Sequence, residues 1–253
     1  MASPKRETAV HFFDVGQGDA AMIVGPSGQQ IVIDGGPNLS VLEHLERTMP
    51  FLDRSIDMLV LSHPHQDHLF SFPEILKRYE VRSILMTGMD FGLPKYREML
   101  TLLQEKNVHV LLADPTKDVI WEDGLMLDVV WPRPGLLGQK GDANNTSVAL
   151  RVLYGKDSVL FTGDMEEPQE RAILSAGIDV SADILKVAHH GSRTSSSTGF
   201  LMAVKATQAV VSVAAQNSYK LPNQDVLERL KQFGMAMHLT SLSGSLAVTL
   251  DGK

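Results

Sequence analysis

Three histidines and one aspartate occur within the six residues 63–68, whose sequence is His-Pro-His-Gln-Asp-His. They directly follow an apolar stretch that is typical of a buried strand. Imidazole nitrogen and carboxylate oxygen are ligands for zinc, manganese, iron and nickel. His63 and His65 are two residues apart, so an extended backbone turns both rings to the same side. The spacing predicts a metal site, with Asp67 and His68 in reach of a second ion beside the first.

A polar surface loop is the alternative interpretation of this segment. Three of the nine histidines of the chain fall in it, which is difficult to attribute to chance. We therefore favour metal binding.

The composition is that of an ordinary globular protein, with 253 residues, 43% of them hydrophobic and 21% charged. The chain has no cysteine, which excludes disulfides, thiolate metal sites and a cysteine nucleophile. Its formal charge of −7 argues against broad, nonspecific clamping of nucleic acid. A phosphate-bearing substrate stays compatible with this charge, because bound divalent ions bring their own positive charge to the site.

The sequence predicts neither a signal peptide nor a membrane span. The first seven residues include basic side chains, but no apolar core follows them. No apolar run approaches the roughly 20 residues that a membrane-spanning helix needs. We expect a soluble chain, located in the cytoplasm if it stands alone.

Strand and helix patterns alternate along the chain. Strands are predicted at 10–15, 20–24, 30–33, 58–61, 83–86, 108–112, 125–131, 147–153, 158–161, 184–188, 209–213, 236–240 and 245–250, the last two as a pair. Helices are predicted at 39–49, 73–79, 95–106, 167–175, 200–206 and 225–233. Residues 1–253 contain no linker or low-complexity tract, so we expect one domain. Two similar halves of this kind suggest two sheets packed face to face with helices outside.

Five further segments accompany the histidine-rich run in a fixed order. They are HFFDVGQGD at 11–19, IVIDGG at 31–36, NNTS at 144–147, LFTGD at 160–164 and LKVAHHGS at 185–192. Together with 63–68 these segments resemble the metallo-β-lactamase superfamily. Within it they are most similar to the metallo-hydrolase domain of the competence proteins that import DNA.

The resemblance implies an α/β fold, an αββα sandwich of two mixed β-sheets packed face to face with the helices outside. It also implies a hydrolase that holds one or two divalent ions, zinc or manganese, and acts on phosphodiesters, with DNA as the expected substrate. In the competence proteins this domain is attached to a membrane channel. The chain would then be a stand-alone relative, or an excised domain with a channel partner and an extracytoplasmic location.

The resemblance also implies roles for individual residues. His63 and His65 are expected to bind the first ion, and Asp67 and His68 the second. Asp164 is expected to bridge the two ions, which a shared carboxylate holds roughly 3.5–4 Å apart.

A pair of adjacent histidines follows the strand predicted at 184–188. His189 is expected as a further metal ligand. The alternative is that His189 or His190 protonates the leaving oxygen or steadies a phosphate. The expected catalytic set is Asp67, Asp164 and His190, which act on a water whose pKa the metal lowers towards about 7.

Other residues are expected around the metal ligands. Asp34 is expected to support the histidine run through hydrogen bonds, as residues behind metal ligands commonly do. Hydrogen bonds to phosphoryl oxygens are expected from Ser192, Thr194 and Ser196, and charge for the phosphate from Arg193; a solvated loop is the alternative for this segment. Asp14, Gln17 and Asp19 belong either to the rim of the site or to a tight glycine turn.

The chain departs from its apparent family at three places. Asn144 and Asn145 stand where most members of the superfamily have a histidine for the first ion, and an amide oxygen suits a hard cation better than zinc. Leu69 and Phe70 replace small residues after the histidine run. Leu221 stands where relatives commonly have a histidine, so it removes a ligand for the second ion if they use that histidine; the neighbouring Lys220 could contact phosphate instead.

Two rival functions remain open from the sequence. One is a carbonyl hydrolase of the same superfamily that acts on a lactam, lactone or thioester. The other is a non-catalytic module that binds nucleic acid or a partner through a degraded metal site, which the asparagines and Leu221 would favour.

Overall fold

The computed structural model describes residues 7–89, 92–133 and 143–253. The strands are β1 (Thr8–Phe12), β2 (Ala21–Val24), β3 (Gln30–Ile33), β4 (Ser55–Val60), β5 (Glu80–Met86), β6 (His109–Leu112), β7 (Val119–Ile120), β8 (Met126–Trp131), β9 (Ala149–Tyr154), β10 (Asp157–Phe161), β11 (Ile184–Lys186), β12 (Gln208–Val211), β13 (Ala236–Leu239) and β14 (Leu246–Leu250). The α-helices are α1 (Ser40–Thr48), α2 (Gln66–Leu69), α3 (Phe72–Arg78), α4 (Pro94–Glu105), α5 (Glu167–Ser175), α6 (Thr198–Val204), α7 (Gln224–Gln232) and α8 (Thr240–Ser243). Short 3₁₀ turns span Ala143–Thr146 and Ala188–Gly191.

The strands form two mixed sheets of seven strands each. The order in the first sheet is β14-β1-β2-β3-β4-β5-β6, and in the second β13-β12-β11-β10-β9-β8-β7. In the first sheet β14 to β3 pair antiparallel and β3 to β6 parallel. The second sheet pairs antiparallel from β7 to β10 and parallel from β10 to β13. The predicted pair of mixed sheets is confirmed.

The inner faces of the two sheets share one apolar core. Val10 and Ile31 of the first sheet belong to the same buried cluster as Leu127 and Val152 of the second. The rings of Phe12 and Phe161 stack across this interface with centroids 5.5 Å apart. Alternate strand residues therefore point inward from both sheets, as expected for face-to-face packing.

Helices cover the outer face of each sheet. Buried side chains of α1, α3 and α4 join the outward residues of the first sheet in one cluster, and those of α5, α6 and α7 join the second sheet in another. In α4 the inward residues are Tyr96, Met99 and Leu103, which follow helical spacing. The six helices predicted from periodicity begin and end within two residues of the observed ones. The sequence reading did not find α2, α8 or the two-residue strand β7.

The prediction that strands 236–240 and 245–250 pair with each other is wrong. β13 pairs parallel with β12 in the second sheet, and β14 pairs antiparallel with β1 in the first. The short helix α8 and Gly244 take the chain from one sheet to the other. This arrangement satisfies the otherwise unpaired backbone of β1, which a local hairpin would leave exposed at the sheet edge.

Across the described ranges no helix has both the length and the apolar character needed to cross a membrane.

Replacing Phe12 with alanine should lower the free energy of unfolding by about 3–5 kcal/mol, because the ring is 1% exposed and leaves a cavity between the sheets. Phe51→Ala is the matched control, since Phe51 is 94% exposed and its loss should change stability by less than about 0.5 kcal/mol. Urea denaturation of both variants measures the difference. Equal stabilities would contradict a core shared by the two sheets.

Candidate metal centre

The candidate site residues lie where four strands end. Asp34 follows β3 and His63 follows β4 in the first sheet, while Asp164 follows β10 and His190 follows β11 in the second. β3 and β4 pair parallel, as do β10 and β11, so the carboxyl ends of each pair share one sheet edge. The two edges face each other, and the candidate ligands meet between them.

The histidine-rich run bends sharply after β4. His63 and His65 stay in the connecting segment, with ring centroids 4.6 Å apart. The chain then enters α2, and this single helical turn carries Asp67 and His68. The rings of His63 and His68 are 4.2 Å apart between centroids, so the turn folds His68 back beside His63.

Asp164 lies between two groups of donor atoms. Its Oδ1 is 3.3 Å from Nε2 of His68 and 3.8 Å from Nε2 of His190. Its Oδ2 is 3.7 Å from Nε2 of His63 and 3.8 Å from Nε2 of His189. Each carboxylate oxygen therefore faces a different set of imidazoles, which is the arrangement that a ligand bridging two cations requires.

Three groups of described side chains could each hold a cation; two of them meet at Asp164, and the third consists of Asp19, Asp34 and His68. The ligand atoms of His63, His65 and Asp164 lie within 4.8 Å of one another. Those of Asp67, His68, Asp164 and His190 form a second group by the same measure. The two groups share Asp164.

The donor atoms fit a metal ion. Among the described residues, Nε2 of His63, His68 and His190 and Oδ1 of Asp164 are buried and have no hydrogen-bond partner. Leaving such atoms unsatisfied is costly, and each exception calls for an explanation. Convergent imidazole nitrogens and carboxylate oxygens suit zinc or manganese. A divalent ion in each group would satisfy these atoms.

The charges of the buried carboxylates also favour a bound cation. Burial disfavours the charged imidazole of His190, but nearby carboxylates, Asp164 foremost, outweigh it and raise the pKa of His190 to about 10. The pKa of His68 is raised well above its usual value by the same balance of burial and carboxylates. Burial and the neighbouring charge on His68 instead hold the pKa of His63 well below its usual value. The carboxylates thus require positive charge nearby, which a divalent cation can supply in place of protons.

Asp34 lies behind the ligands, as expected from the sequence. Its carboxylate accepts hydrogen bonds from the amide and the hydroxyl of Ser62, at 2.8 and 2.7 Å. Its Oδ2 is 2.8 Å from Nδ1 of His68. This contact keeps Nε2 of His68 directed at Asp164, because the other ring nitrogen is occupied.

A second buried carboxylate supports His190 in the same way. Nδ1 of His190 is 2.9 Å from the carbonyl oxygen of Ser212 and 3.3 Å from Oδ1 of Asp19. Oδ2 of Asp19 is 2.6 Å from Nζ of Lys186. Asp19 is therefore part of a buried network, whereas the sequence reading placed it at a rim or in a turn.

Lys186 was missed by the sequence reading. It is 3% exposed, and its ammonium group donates to Asp19 and, at 3.0 Å, to the carbonyl oxygen of Val187. The available signal was a lysine inside the apolar run 184–188. A charge at that position needs a buried counter-charge, because an unpaired buried ammonium group is unstable.

The adjacent residues His189 and His190 have different neighbours. Both have positive φ angles, 51° for His189 and 52° for His190. His190 joins the second donor group, whereas His189 belongs to neither group. Nδ1 of His189 is instead 3.4 Å from Oε1 of Glu166. The structure therefore brings His190 together with Asp67 and His68, while Nε2 of His189 lies 3.8 Å from the other oxygen of Asp164.

An open cavity of about 340 Å³ lies over the centre. It is lined by Gln17, His65, Gln66, Asp67, Asn144, Asp164, His189, His190, Tyr219 and Leu221. Of the residues expected at the rim, Gln17 lines it, while the side chain of Asp14 accepts a hydrogen bond from the amide of Gly16 in the glycine turn.

The segment after His190 is not part of this lining. Ser196 is 1% exposed and its amide donates to the carboxylate of Glu170. The hydroxyl of Thr194 donates to Glu166, and Oγ of Ser192 is 3.0 Å from that hydroxyl. Ser196 is therefore not in a solvated loop, and hydrogen bonds from Ser192, Thr194 and Ser196 to a phosphate stay a prediction. Arg193 is exposed and lies outside the lining as well.

The departures from the family pattern have distinct consequences. Asn144 lies at the cavity wall, and the carbonyl oxygen of Asn145 accepts a hydrogen bond from the indole of Trp131. Leu69 is buried in the core under α3, so it does not narrow the cavity. The ring of Phe70 lies under the ammonium group of Lys95, 5.3 Å from the ring centroid.

Comparisons with known proteins agree with this geometry. A family model described as "Metallo-beta-lactamase superfamily" matches residues 13–215. ComE operon protein 3 of Bacillus subtilis is 28% identical over 95% of this chain, and Competence protein ComA of Neisseria gonorrhoeae is 31% identical over 97%. The chain spans about a third of the length of these curated relatives, 33% of each. The metallo-β-lactamase fold protein YhfI from Bacillus subtilis superposes with a TM-score of 0.65 over 96% of this chain and 100% of its own; at 13% identity this likeness concerns the fold.

Lys186→Met should destabilise the protein by about 3–5 kcal/mol, because it removes the lysine partner of the buried Asp19 carboxylate and leaves the ring of His190 to offset its charge. The double variant Lys186→Met with Asp19→Asn should recover most of that loss, since it removes both charges. Urea denaturation of the two single variants and the double variant measures this coupling. Lys231→Met, at an exposed position of α7, is the control. Additive effects of the two single substitutions would show that the pair is not coupled.

Proposed function

This chain belongs to the metallo-β-lactamase superfamily, and we propose that it is a metal-dependent hydrolase that cleaves phosphodiesters, with DNA as the favoured substrate. The resemblance predicted from its motifs is confirmed, both for the superfamily and for the competence proteins. The observation that carries the proposal is the position of Asp164, which presents one oxygen to each of two donor groups beneath an open cavity.

In this proposal the first ion is held by His63, His65 and Asp164. The second is held by Asp67, His68, Asp164 and His190. Bound there, the ions would supply a water with lowered pKa and positive charge for the phosphoryl oxygens. His190 replaces His189 in the ligand set expected from sequence, because only His190 lies within reach of Asp67 and His68.

Two side chains would orient the attacking water and protonate the leaving oxygen. Asp164 faces both groups, so its carboxylate would orient the attacking water between them. His189 lines the cavity without belonging to a donor group, and Glu166 lies beside its Nδ1. It is therefore the group we assign to protonating the leaving oxygen, a role for which the sequence left His189 and His190 as alternatives.

The resemblance supports phosphodiesters over carbonyl substrates, and the donor groups argue against a non-catalytic module. The segments that carry the resemblance are those of proteins that import DNA, and one relative is named a competence protein. Leu221 lines the cavity where relatives commonly have a histidine, but the second group already offers four donors without that position. The argument for a degraded, purely binding module is weakened accordingly.

A channel partner is part of the same proposal. The chain corresponds to about a third of each curated relative, so two thirds of those proteins have no counterpart in it. A membrane channel supplied by another chain, or by the rest of a longer one, would fit the role of the competence proteins.

The proposed activity should appear as hydrolysis of bis(p-nitrophenyl) phosphate by metal-stripped protein resupplied with Mn²⁺, Zn²⁺, Mg²⁺ or Ni²⁺. Asp164→Ala and His65→Ala should each reduce turnover more than about 100-fold, because losing even an outer partner of a ligand costs about 10–100-fold. His109→Ala, an exposed histidine of β6, should keep wild-type turnover. Folded protein that is inactive with every ion, or that hydrolyses a chromogenic lactam instead, would refute the phosphodiesterase proposal.

The ligand assignment can be tested without turnover. Calorimetric titration of stripped protein with Mn²⁺ or Zn²⁺ should detect up to two ions per chain. His190→Ala should weaken binding of one ion at least about 10-fold, because it removes a donor of the second group. His189→Ala should leave both affinities within about twofold. The opposite pattern would restore His189 as the ligand.

A further inference from the structure

The cavity over the metal centre is chemically uneven. Its floor consists of the candidate ligands, and no lysine or arginine occurs among the described residues that line it. One wall carries the ring of Tyr219 and the side chain of Leu221. The other polar wall residues are the neutral amides Gln17, Gln66 and Asn144. Any charge on a bound phosphate would therefore be met at the floor, and the walls would contact the rest of the substrate.

Hydrogen bonds fix the loop that carries Tyr219, although the ring itself is open to solvent. It is 72% exposed. The side chain of Asn217 closes its loop by donating to the carbonyl oxygens of Ala214 and Leu221, at 3.1 and 2.8 Å, and accepting from the amide of Leu221 at 2.9 Å.

The same loop is tied to the metal centre. The amide of Asn223 donates to the carbonyl oxygen of Gly191, the residue after His190, at 2.9 Å. The backbone on both sides of Tyr219 thus has a defined position relative to the candidate ligands, and its ring lines the cavity. An exposed aromatic side chain on such a loop, at the mouth of a reaction cavity, is suited to a flat substrate group.

We propose that Tyr219 determines substrate specificity by stacking on the base next to the scissile phosphodiester, so that the site accepts nucleic acid as an unpaired single strand. The proposal rests on the phosphodiesterase function proposed above. Aromatic side chains bind single strands in this way because every base has a face that can stack. Leu221 lines the same cavity and adds apolar surface beside the ring.

The cavity has the size of a small-ligand site, which one nucleotide can occupy. Its volume of about 340 Å³ lies at the lower end of the roughly 300–1,000 Å³ of small-ligand sites. In a double helix both faces of a base are covered by neighbouring pairs, so stacking on Tyr219 would require the base to leave the stack.

Tyr219 differs from the other exposed aromatic residue considered, Phe51, in its position at the cavity. Phe51 is more exposed than Tyr219, but it precedes β4, whereas the metal centre follows β4. A strand of six residues separates the two ends by roughly 20 Å. Phe51 therefore provides a matched control, an exposed aromatic residue remote from the cavity.

The test uses three fluorescently labelled DNAs: a single-stranded oligonucleotide, the same strand with abasic sites, and its duplex. Binding is measured by fluorescence anisotropy with the Asp67→Ala variant, which is not expected to cleave the DNA, with and without Tyr219→Ala, Tyr219→Phe or Phe51→Ala. Turnover of the same DNAs and of bis(p-nitrophenyl) phosphate is measured in protein that retains Asp67, with the same substitutions at Tyr219 and Phe51.

We expect the single strand to bind more tightly than the abasic strand or the duplex. Tyr219→Ala should raise the dissociation constant and KM for the single strand about 5- to 150-fold, the effect of losing one base–aromatic stack. It should leave kcat within about threefold and abolish the preference for bases. Tyr219→Phe should retain the preference, and Phe51→Ala should resemble the parent.

Equal binding of normal and abasic strands, or a preference that survives Tyr219→Ala, would overturn the proposal even if the phosphodiester is hydrolysed. Base-dependent binding through Tyr219 in protein that hydrolyses no phosphodiester would uphold it and refute the enzymatic function instead. The two proposals therefore fail separately.

Discussion

The site depends on the convergence of carboxylates in a space that water barely reaches. Asp19, Asp34 and Asp164 are buried, and Asp67 is partly so. Like charges this close and this poorly solvated repel one another unless cations are nearby. Among the described residues, the lysine that contacts one of these carboxylates is Lys186. The rest of the positive charge must come from protons on His68 and His190 or from metal ions, so the acidic residues that orient the ligands also create the demand for the ions.

The fold satisfies this demand by placing the carboxylates on separate elements. Each sheet changes from antiparallel to parallel pairing, and the parallel strands deliver Asp34 and Asp164 to facing edges. Backbone conformation then aims the side chains, because Asp34 and both histidines at 189 and 190 have positive φ angles. Such conformations cost of order 1–3 kcal/mol each and persist where the surroundings fix them. Their concentration at this edge is consistent with a functional site.

The sequence predicted those parts of the molecule that depend on local pattern. Helical periodicity located the longer helices, and the histidine-rich run identified the candidate ligands His63, His65, Asp67 and His68. What it could not provide was the geometry created between distant segments. The partner of Lys186 is 167 residues away, and the partner of β14 is the first strand of the chain. Which of the adjacent residues His189 and His190 meets Asp67 and His68 depends on the tertiary fold, which no spacing rule reports.

The two donor groups that share Asp164 differ in their number of side chains. The smaller group lacks the histidine that Asn144 replaces in the superfamily pattern. The group built around His63 has two imidazoles and the shared carboxylate, while the other has two imidazoles and two carboxylates. Asn144 stands at the wall where a further imidazole would complete the weaker group. A neutral amide oxygen adds little affinity for zinc but is acceptable to a hard cation such as Mn²⁺. The group that contains His190 therefore offers four side chains to a cation, and the group built around His63 offers three.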